Sequence, residues 1–453
     1  MKSITISSIA VLLLGSAVCR ASAEPPASDG DVRRIIQQVS PQRIEATIRA
    51  LVGFGTRNTL SSQTDPKRGI GAARDYLFGE FSKIAAETGG RMTVEKQAFV
   101  QPVGSRIPEP TTLTNVVATL RGELPVAQGR VVVVSGHYDS MCTSPTDSVH
   151  DAPGANDDAS GSAAVLEMAR VMSKRAFHAT IVFMCVAGEE QGLYGAYNYA
   201  QTAKTAHMPI QAMFTNDIIG NSLGGNGVHD NKTVRVFSEG VPSDESEAQA
   251  RVRRSVGGEN DGPSRQLARY IHEAAKRYVP GMKVELIYRR DRYLRGGDHI
   301  AFLESGYPAV RFTEPNENYN HQHQDVRVEN GLQFGDLPEF VDFAYTAHVA
   351  QVNISALASL ALAPAPPART VLVTSRLATD TEIRWDAVPE ADVAGYELVW
   401  RGTTEPDWSH SRALGNVTSV TLTGMSKDNW LFGIRTVDKN GRHSVVSFPR
   451  PGR

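Results

Sequence analysis

Two hydrophobic periods take turns along residues 31–362. Apolar residues recur at helical spacing at Ile35, Ile36, Val39, Ile44, Ile48 and Leu51, so residues 31–54 predict helix. Residues 71–86 predict another, from Ala72, Tyr76, Leu77, Phe81 and Ile84, stopped by Gly89 and Gly90. Strand patterns follow at 92–100 and 113–120. At 131–134 four consecutive valines predict a strand buried on both faces. A helix from about Ser162 to 174 leads to a second apolar strand at 180–187, and a helix at 192–204 leads to a third strand at 211–219. A polar, Gly-rich section reaches to 262, with one β-like run at 233–238. A helix at 264–278, strands at 284–288 and 309–313 and a closing helix at 337–362 complete the series. Alternating strands and helices predict an α/β fold: a three-layer αβα sandwich around a largely parallel, mixed central sheet. Ligands of such sheets gather at the C-terminal strand ends.

The pattern changes after Pro364, Pro366 and Pro367, which predict a stiff linker over 364–369. Short runs at 371–373, 382–385, 395–400, 419–422 and 430–437, separated by turn signals, predict an all-β, immunoglobulin-like sandwich over 370–453. With Trp385, Tyr396 in GYELVWR, and FGIRTVDKNGRHS, this part resembles a fibronectin type III domain. At the other end, Lys2, a short apolar run at 4–18 and the small residues Ala21, Ser22 and Ala23 predict a signal peptide over 1–23. The α/β domain then occupies 24–363, and the expected location is secreted or periplasmic. The apolar run is short of the ~20 residues that span a bilayer. A net charge of −2 over 453 residues gives no basic excess to attract nucleic acid or an anionic membrane surface. Arg251, Arg253 and Arg254 read as a solvated loop or helix start. Cys19 would leave with the leader, so Cys142 and Cys185 form one disulfide or remain two buried thiols.

Chemistry concentrates at the predicted strand ends. His137 and Asp139 follow the first apolar strand, Asp157 and Asp158 precede the next helix, Glu189 and Glu190 follow the second strand, and Asp217 ends the third. His321 and His323 lie in a loop before the closing helix. Imidazole and carboxylate without thiolate suit Zn2+. Five such places, with an acid free to bridge, suggest two metal ions. Adjacent Glu189 and Glu190 behind a buried strand repel unless a cation sits beside them. Asp158 reads as a helix cap or supporting acid.

The motifs GHYDS, PGANDDASG, AGEEQGLYGA, TNDIIGN and GGDHIAFLESGYPAVRFTE, in this order over roughly residues 44–362, resemble secreted zinc exopeptidases of the bacterial leucyl aminopeptidase type, relatives of glutamate carboxypeptidase and glutaminyl cyclase. The resemblance implies two Zn2+ per chain, peptide or protein substrates, and hydrolysis by a metal-activated water. It implies His137 and Asp217 on one zinc, Glu190 and the last His on the other, and Asp157 bridging both. Glu189 would be the general base, and the Asp139 carboxylate would orient the His137 ring. In relatives the last His stands four residues before an Asp, which points to His321 before Asp325, with His323 the alternative. An aminopeptidase is the expected activity. A carboxypeptidase, a cyclase with one zinc, or a non-catalytic binding protein are the other readings. Asp298 and His299 resemble a pair near the family's site and receive no catalytic role.

Overall fold

The computed structural model describes residues 30–124 and 129–452; the expected leader at 1–23 lies outside them. In chain order the first unit contains α1 (Gly30–Ile36), α2 (Pro41–Val52), α3 (Ile70–Ala86), β1 (Met92–Gln101), β2 (Thr111–Leu120), β3 (Val131–His137), α4 (Ala159–Met172), β4 (Thr180–Val186), α5 (Glu189–Gly192), α6 (Tyr194–Thr205) and β5 (Ile210–Asn216). It continues with β6 (Thr233–Phe237), α7 (Glu247–Val256), α8 (Pro263–Tyr278), β7 (Lys283–Ile287), α9 (His299–Glu304), β8 (Ala309–Thr313), the small hairpin β9 (Arg327–Glu329) and β10 (Leu332–Phe334), and α10 (Phe343–Leu362).

Eight strands form one sheet in the order β1-β2-β4-β3-β5-β8-β6-β7. The four central strands are mutually parallel, while β2 runs against β4, and β6 and β7 run against β8. The sheet is therefore mixed, with three of its seven ladders antiparallel, rather than largely parallel. The valine run explains the layering. Val132 and Val134 point into a core built with α1 to α4, α8 and α10, and Val131 and Val133 point into a smaller one with α6 and α9.

Helix starts differ from the sequence pattern where a polar cap decides them. The helix expected over 31–54 is two helices, because Pro41 occupies the first turn of α2 and Ser40 caps it by accepting from Arg43 N. The closing helix begins at Phe343, where the Asp342 side chain accepts from Tyr345 N; a single 3-10 turn, Pro338–Phe340, precedes it. The helix expected near Ser162 starts at Ala159, capped by Asp158. Arg251, Arg253 and Arg254 lie on α7, which buries no residue. Cys142 and Cys185 are buried free thiols.

Beyond Pro364 the chain forms two sheets. β11 (Val371–Val373), β12 (Thr381–Arg384), β15 (Ser419–Leu422) and β17 (Arg450–Gly452) make one, and β13 (Val393–Gly402), β14 (His410–Gly415) and β16 (Trp430–Asp438) the other. They enclose a separate core around Ile383, Trp385, Tyr396, Leu398, Phe432 and Ile434.

Phe214 is fully buried on β5, with its ring centroid 5.4 Å from that of Phe312. Phe214→Ala is expected to lower unfolding free energy by about 3–5 kcal/mol, measured by denaturant titration.

Candidate metal centre

The parallel strands β3, β4 and β5 bring their C-terminal ends to one place. β3 ends at His137, which is 1 % exposed. A Cβ at Gly136 would lie 2.5 Å from the Gly161 carbonyl carbon, so glycine there lets the start of α4 close on the strand end. Asp158 fastens this junction: its carboxylate accepts from His137 N at 3.0 Å and from Gly161 N at 2.9 Å. Burial, with the charges of Asp217 and Asp157, holds Asp158 well above the usual carboxylate range against the pull of His137.

His137 Nδ1 lies 3.1 Å from the Asp139 carbonyl oxygen. With the Nδ1 proton donated to that carbonyl, the Nε2 lone pair faces Asp157 Oδ1 at 3.1 Å and Asp217 Oδ1 at 3.8 Å. The Asp139 carboxylate plays a different part from the expected one. It is 3.6 Å from Nδ1, too long for a hydrogen bond, and instead accepts from the backbone N–H groups of Glu189 at 3.3 Å and Glu190 at 3.2 Å. The main chain of Asp139 orients the ring, and its side chain sets the acids at the start of α5.

Asp157 sits at the centre. Besides its contact to His137, its Oδ2 is 2.9 Å from His323 Nε2, which is in turn 3.0 Å from Glu190 Oε1. Of the two alternatives His321 lies apart from this cluster: its ring stacks on Phe340 at 3.7 Å between centroids, and Asp325 bonds to Thr143. His323 has φ of 54°, and this left-handed residue turns its ring into the centre.

Two ligand sets emerge, His137–Asp157–Glu190 and His137–Glu189–Asp217, each with its ligating atoms within 4.8 Å of one another. The donors are imidazole nitrogen and carboxylate oxygen, the set zinc accepts. Their electrostatics call for a cation. Chiefly through burial, reinforced by Asp217 and Glu190, Glu189 is held well above the ordinary carboxylate range although His137 pulls it down. Burial opposes the charge of His323, yet the facing Glu190 and Asp157 raise it to about 11. Carboxylates that hold a proton on an imidazole this firmly will hold a dication in the proton's place.

Several supporting residues escaped the sequence reading. Fully buried Arg57 donates to the carbonyls of Tyr138, Pro153 and Gly154, pinning both ends of the loop between His137 and Asp157. Asp336 accepts from the N–H groups of Asn156 and Asp157, and Gln322 Nε2 donates to Asp157 Oδ2 at 3.0 Å. Arg311, also fully buried, bonds Asp217 Oδ2 at 2.7 Å. Only Arg311 left a trace in the sequence, as a cation inside an otherwise strand-like apolar run. Asp298 is buried at the start of α9, and burial foremost pushes it to about 7. A cleft of about 420 Å³ opens over Glu189, Glu190, Asp217 and His323, rimmed by Arg106, Arg292 and Arg295.

This fold and donor set define a zinc metallopeptidase, and comparison with known proteins places the chain among them. The family model for peptidase family M28 matches residues 115–330. A probable zinc metalloprotease of Leptosphaeria maculans is 50% identical over 427 residues, 94% of this chain and 98% of that one. One from Pyricularia oryzae is 52% identical over 431 residues, 94% of this chain and 85% of its own. Among solved structures, LapB from Legionella pneumophila shares the fold with a TM-score of 0.54 at 19% identity, over 75% of this chain and 76% of its own. An aminopeptidase from Aneurinibacillus sp. strain AM-1 does so with 0.51 at 15% identity, over 73% of this chain and 96% of its own. The chain belongs to peptidase family M28.

His323→Ala is expected to lose zinc and His321→Ala to keep it, read by elemental analysis of the purified variants. Retention of full zinc by His323→Ala would return the question to the other ligands.

Proposed function

We propose that the protein is a secreted aminopeptidase that removes N-terminal residues from peptides with two zinc ions per chain. The observation that carries this reading is the position of Glu189. It is half-buried on the cleft floor beside His137 and Asp217, and its backbone is fixed by Asp139, while Glu190 next to it serves His323. With Asp157, Asp217 and Glu190 read as the carboxylate ligands, Glu189 is the acid left for proton transfer. Zinc bound by these residues supplies Lewis acidity that lowers the pKa of a water and polarises the scissile carbonyl. Glu189 takes the water's proton and returns it to the leaving amine. Asp157 would be shared between the zinc positions, with His137 and Asp217 holding one ion and Glu190 and His323 the other. Arg311 holds Asp217 in place.

Secretion rests on the leader read at residues 1–23. The C-terminal sandwich is read as fibronectin type III-like. A glutaminyl cyclase would use one zinc, and the ligand set supports two.

One observation favours a second reading. Arg106, Arg292 and Arg295 line the same cleft, a cationic rim suited to a free carboxylate, as a carboxypeptidase would need. Both arginines on the second side are already engaged by Glu317, at 3.2 Å and 2.7 Å, which lessens the field they present. Aminopeptidase therefore remains the favoured reading.

Glu189→Gln is expected to retain both zinc ions and lose about 10²- to 10⁴-fold in kcat, the range of a general acid–base group; near-normal turnover would remove the assignment. Peptides with a free or an acetylated N-terminus, each with a free or amidated C-terminus, separate the two activities. Hydrolysis is expected to require the free N-terminus. Dependence on the free C-terminus alone would support the carboxypeptidase.

A further inference from the structure

The C-terminal sandwich touches the α/β domain through a buried ion cluster. Arg401 of β13 grips both oxygens of the Asp261 carboxylate, at 2.9 Å and 2.7 Å. Asp261 also accepts from Arg269 at 3.1 Å and Gln266 at 2.9 Å, both on α8. The three charged side chains are 0–2% exposed. Trp408 closes the cluster, donating to Gln266 Oε1 at 3.0 Å. A buried ion set is costly to break, because losing one member leaves charge unpaired away from water. Flexibly tethered modules meet through smaller, more polar contacts.

The same corner reaches the cleft. The Pro406 carbonyl of the sandwich accepts from Arg269 Nε at 2.6 Å and from the Tyr288 hydroxyl at 3.1 Å. Arg265 of α8 lies 3.8 Å over the Tyr288 ring. Tyr288 directly follows β7 and opens the segment 288–297, in which Arg292, Arg295 and Gly296 line the cleft. The far end of that segment is held from the catalytic side: Arg311 donates to the Gly296 carbonyl at 2.8 Å while it bonds Asp217. The segment is thus a strap with one end fastened to the sandwich and the other to Arg311, the partner of Asp217. Between the fastenings Tyr293 and Leu294 are 76% and 92% exposed, while Asp291 is buried against Arg311, and Glu317 holds Arg292 and Arg295, so the wall is set jointly by these ion pairs and by the two ends.

We propose that the C-terminal sandwich is a working part of the substrate cleft, with Tyr288 as a positioning residue through which Pro406 and Arg401 set the cleft wall. The inference rests on the reading of this cleft as the peptide site. The module holds one wall of the enzyme's own cleft.

Tyr288→Phe removes only the hydroxyl that meets Pro406, and Arg401→Gln loosens the corner while Asp261 keeps Arg269 and Gln266. In the full-length zinc-loaded protein, both are expected to raise amide hydrogen exchange in 288–297 and leave zinc content unchanged. Tyr288→Phe is expected to raise KM about two- to tenfold, the range that one hydrogen bond spans, with kcat within about twofold. Unchanged exchange in 288–297 in both variants overturns the proposal, as does faster exchange with unchanged KM. A uniform fall in kcat with zinc loss also overturns it, because it marks general destabilisation. Exchange requires no substrate, so a failed aminopeptidase reading would be told apart from a failed strap.

Discussion

Four carboxylates and two imidazoles share one largely water-poor corner of this fold, and their mutual repulsion is the constraint from which the rest follows. Asp157, Glu190 and Asp217 are each no more than 5% exposed, and Glu189 is half-buried among them. Removing like charges from water is costly, and placing them within hydrogen-bond distance of shared neighbours adds to the cost. Zinc bound among these residues offsets the repulsion, because a dication meets several anionic oxygens at once. Metal binding and the folding of this corner are therefore one equilibrium.

The protein holds the acids in place with buried side chains behind the cleft. Arg57 ties the β3–α4 loop by three carbonyls, Asp336 ties the backbone on either side of the Asn156–Asp157 peptide, and Arg311 neutralises Asp217 from behind. Each guanidinium is fully buried. Burial of such groups is offset by hydrogen bonds, which for Arg57 go to three main-chain oxygens and for Arg311 to Asp217 and the Gly296 carbonyl. The asymmetry of the helical layers agrees with this division of labour. The thick layer with α4 and α10 supplies rigidity beneath the strands, and the strand ends and loops carry the chemistry.

Strand identity, strand order of appearance and the ligands at strand ends were legible because burial writes itself into consecutive valines and into TIVFMCV, and polarity reappears where each strand stops. The edges were less legible. Strands β6 and β7 run against β8, and no local pattern declares direction, so the sheet read as more parallel than it is. Cap positions decided three helix starts, because a side-chain cap from Ser40, Asp158 or Asp342 outweighs several residues of apolar spacing. Arg57, Asp336 and Gln322 were illegible: each sits in an irregular segment, and its partner lies 81 to 180 residues away in sequence.

The choice between His321 and His323 shows why spacing alone fails at such a site. Counting residues assumes that the backbone between two landmarks is ordinary. Here it is not: His323, Ile218 and Leu193 all have positive φ, at 54°, 59° and 60°. Ile218 follows Asp217, Leu193 ends the helix that carries both glutamates, and His323 faces Asp157 and Glu190. For a β-branched residue such as Ile218 this region is a genuine outlier, and each such residue costs of order 1–3 kcal/mol. Asp158 and Ser160 offset that cost by accepting the N–H groups of Ile218 and Ile219, at 3.4 Å and 3.2 Å. The strain is thus held by the same acid that caps α4 and fixes the His137 backbone. Asp158 joins two strand ends and the start of α4 into one centre, and its burial follows from that duty.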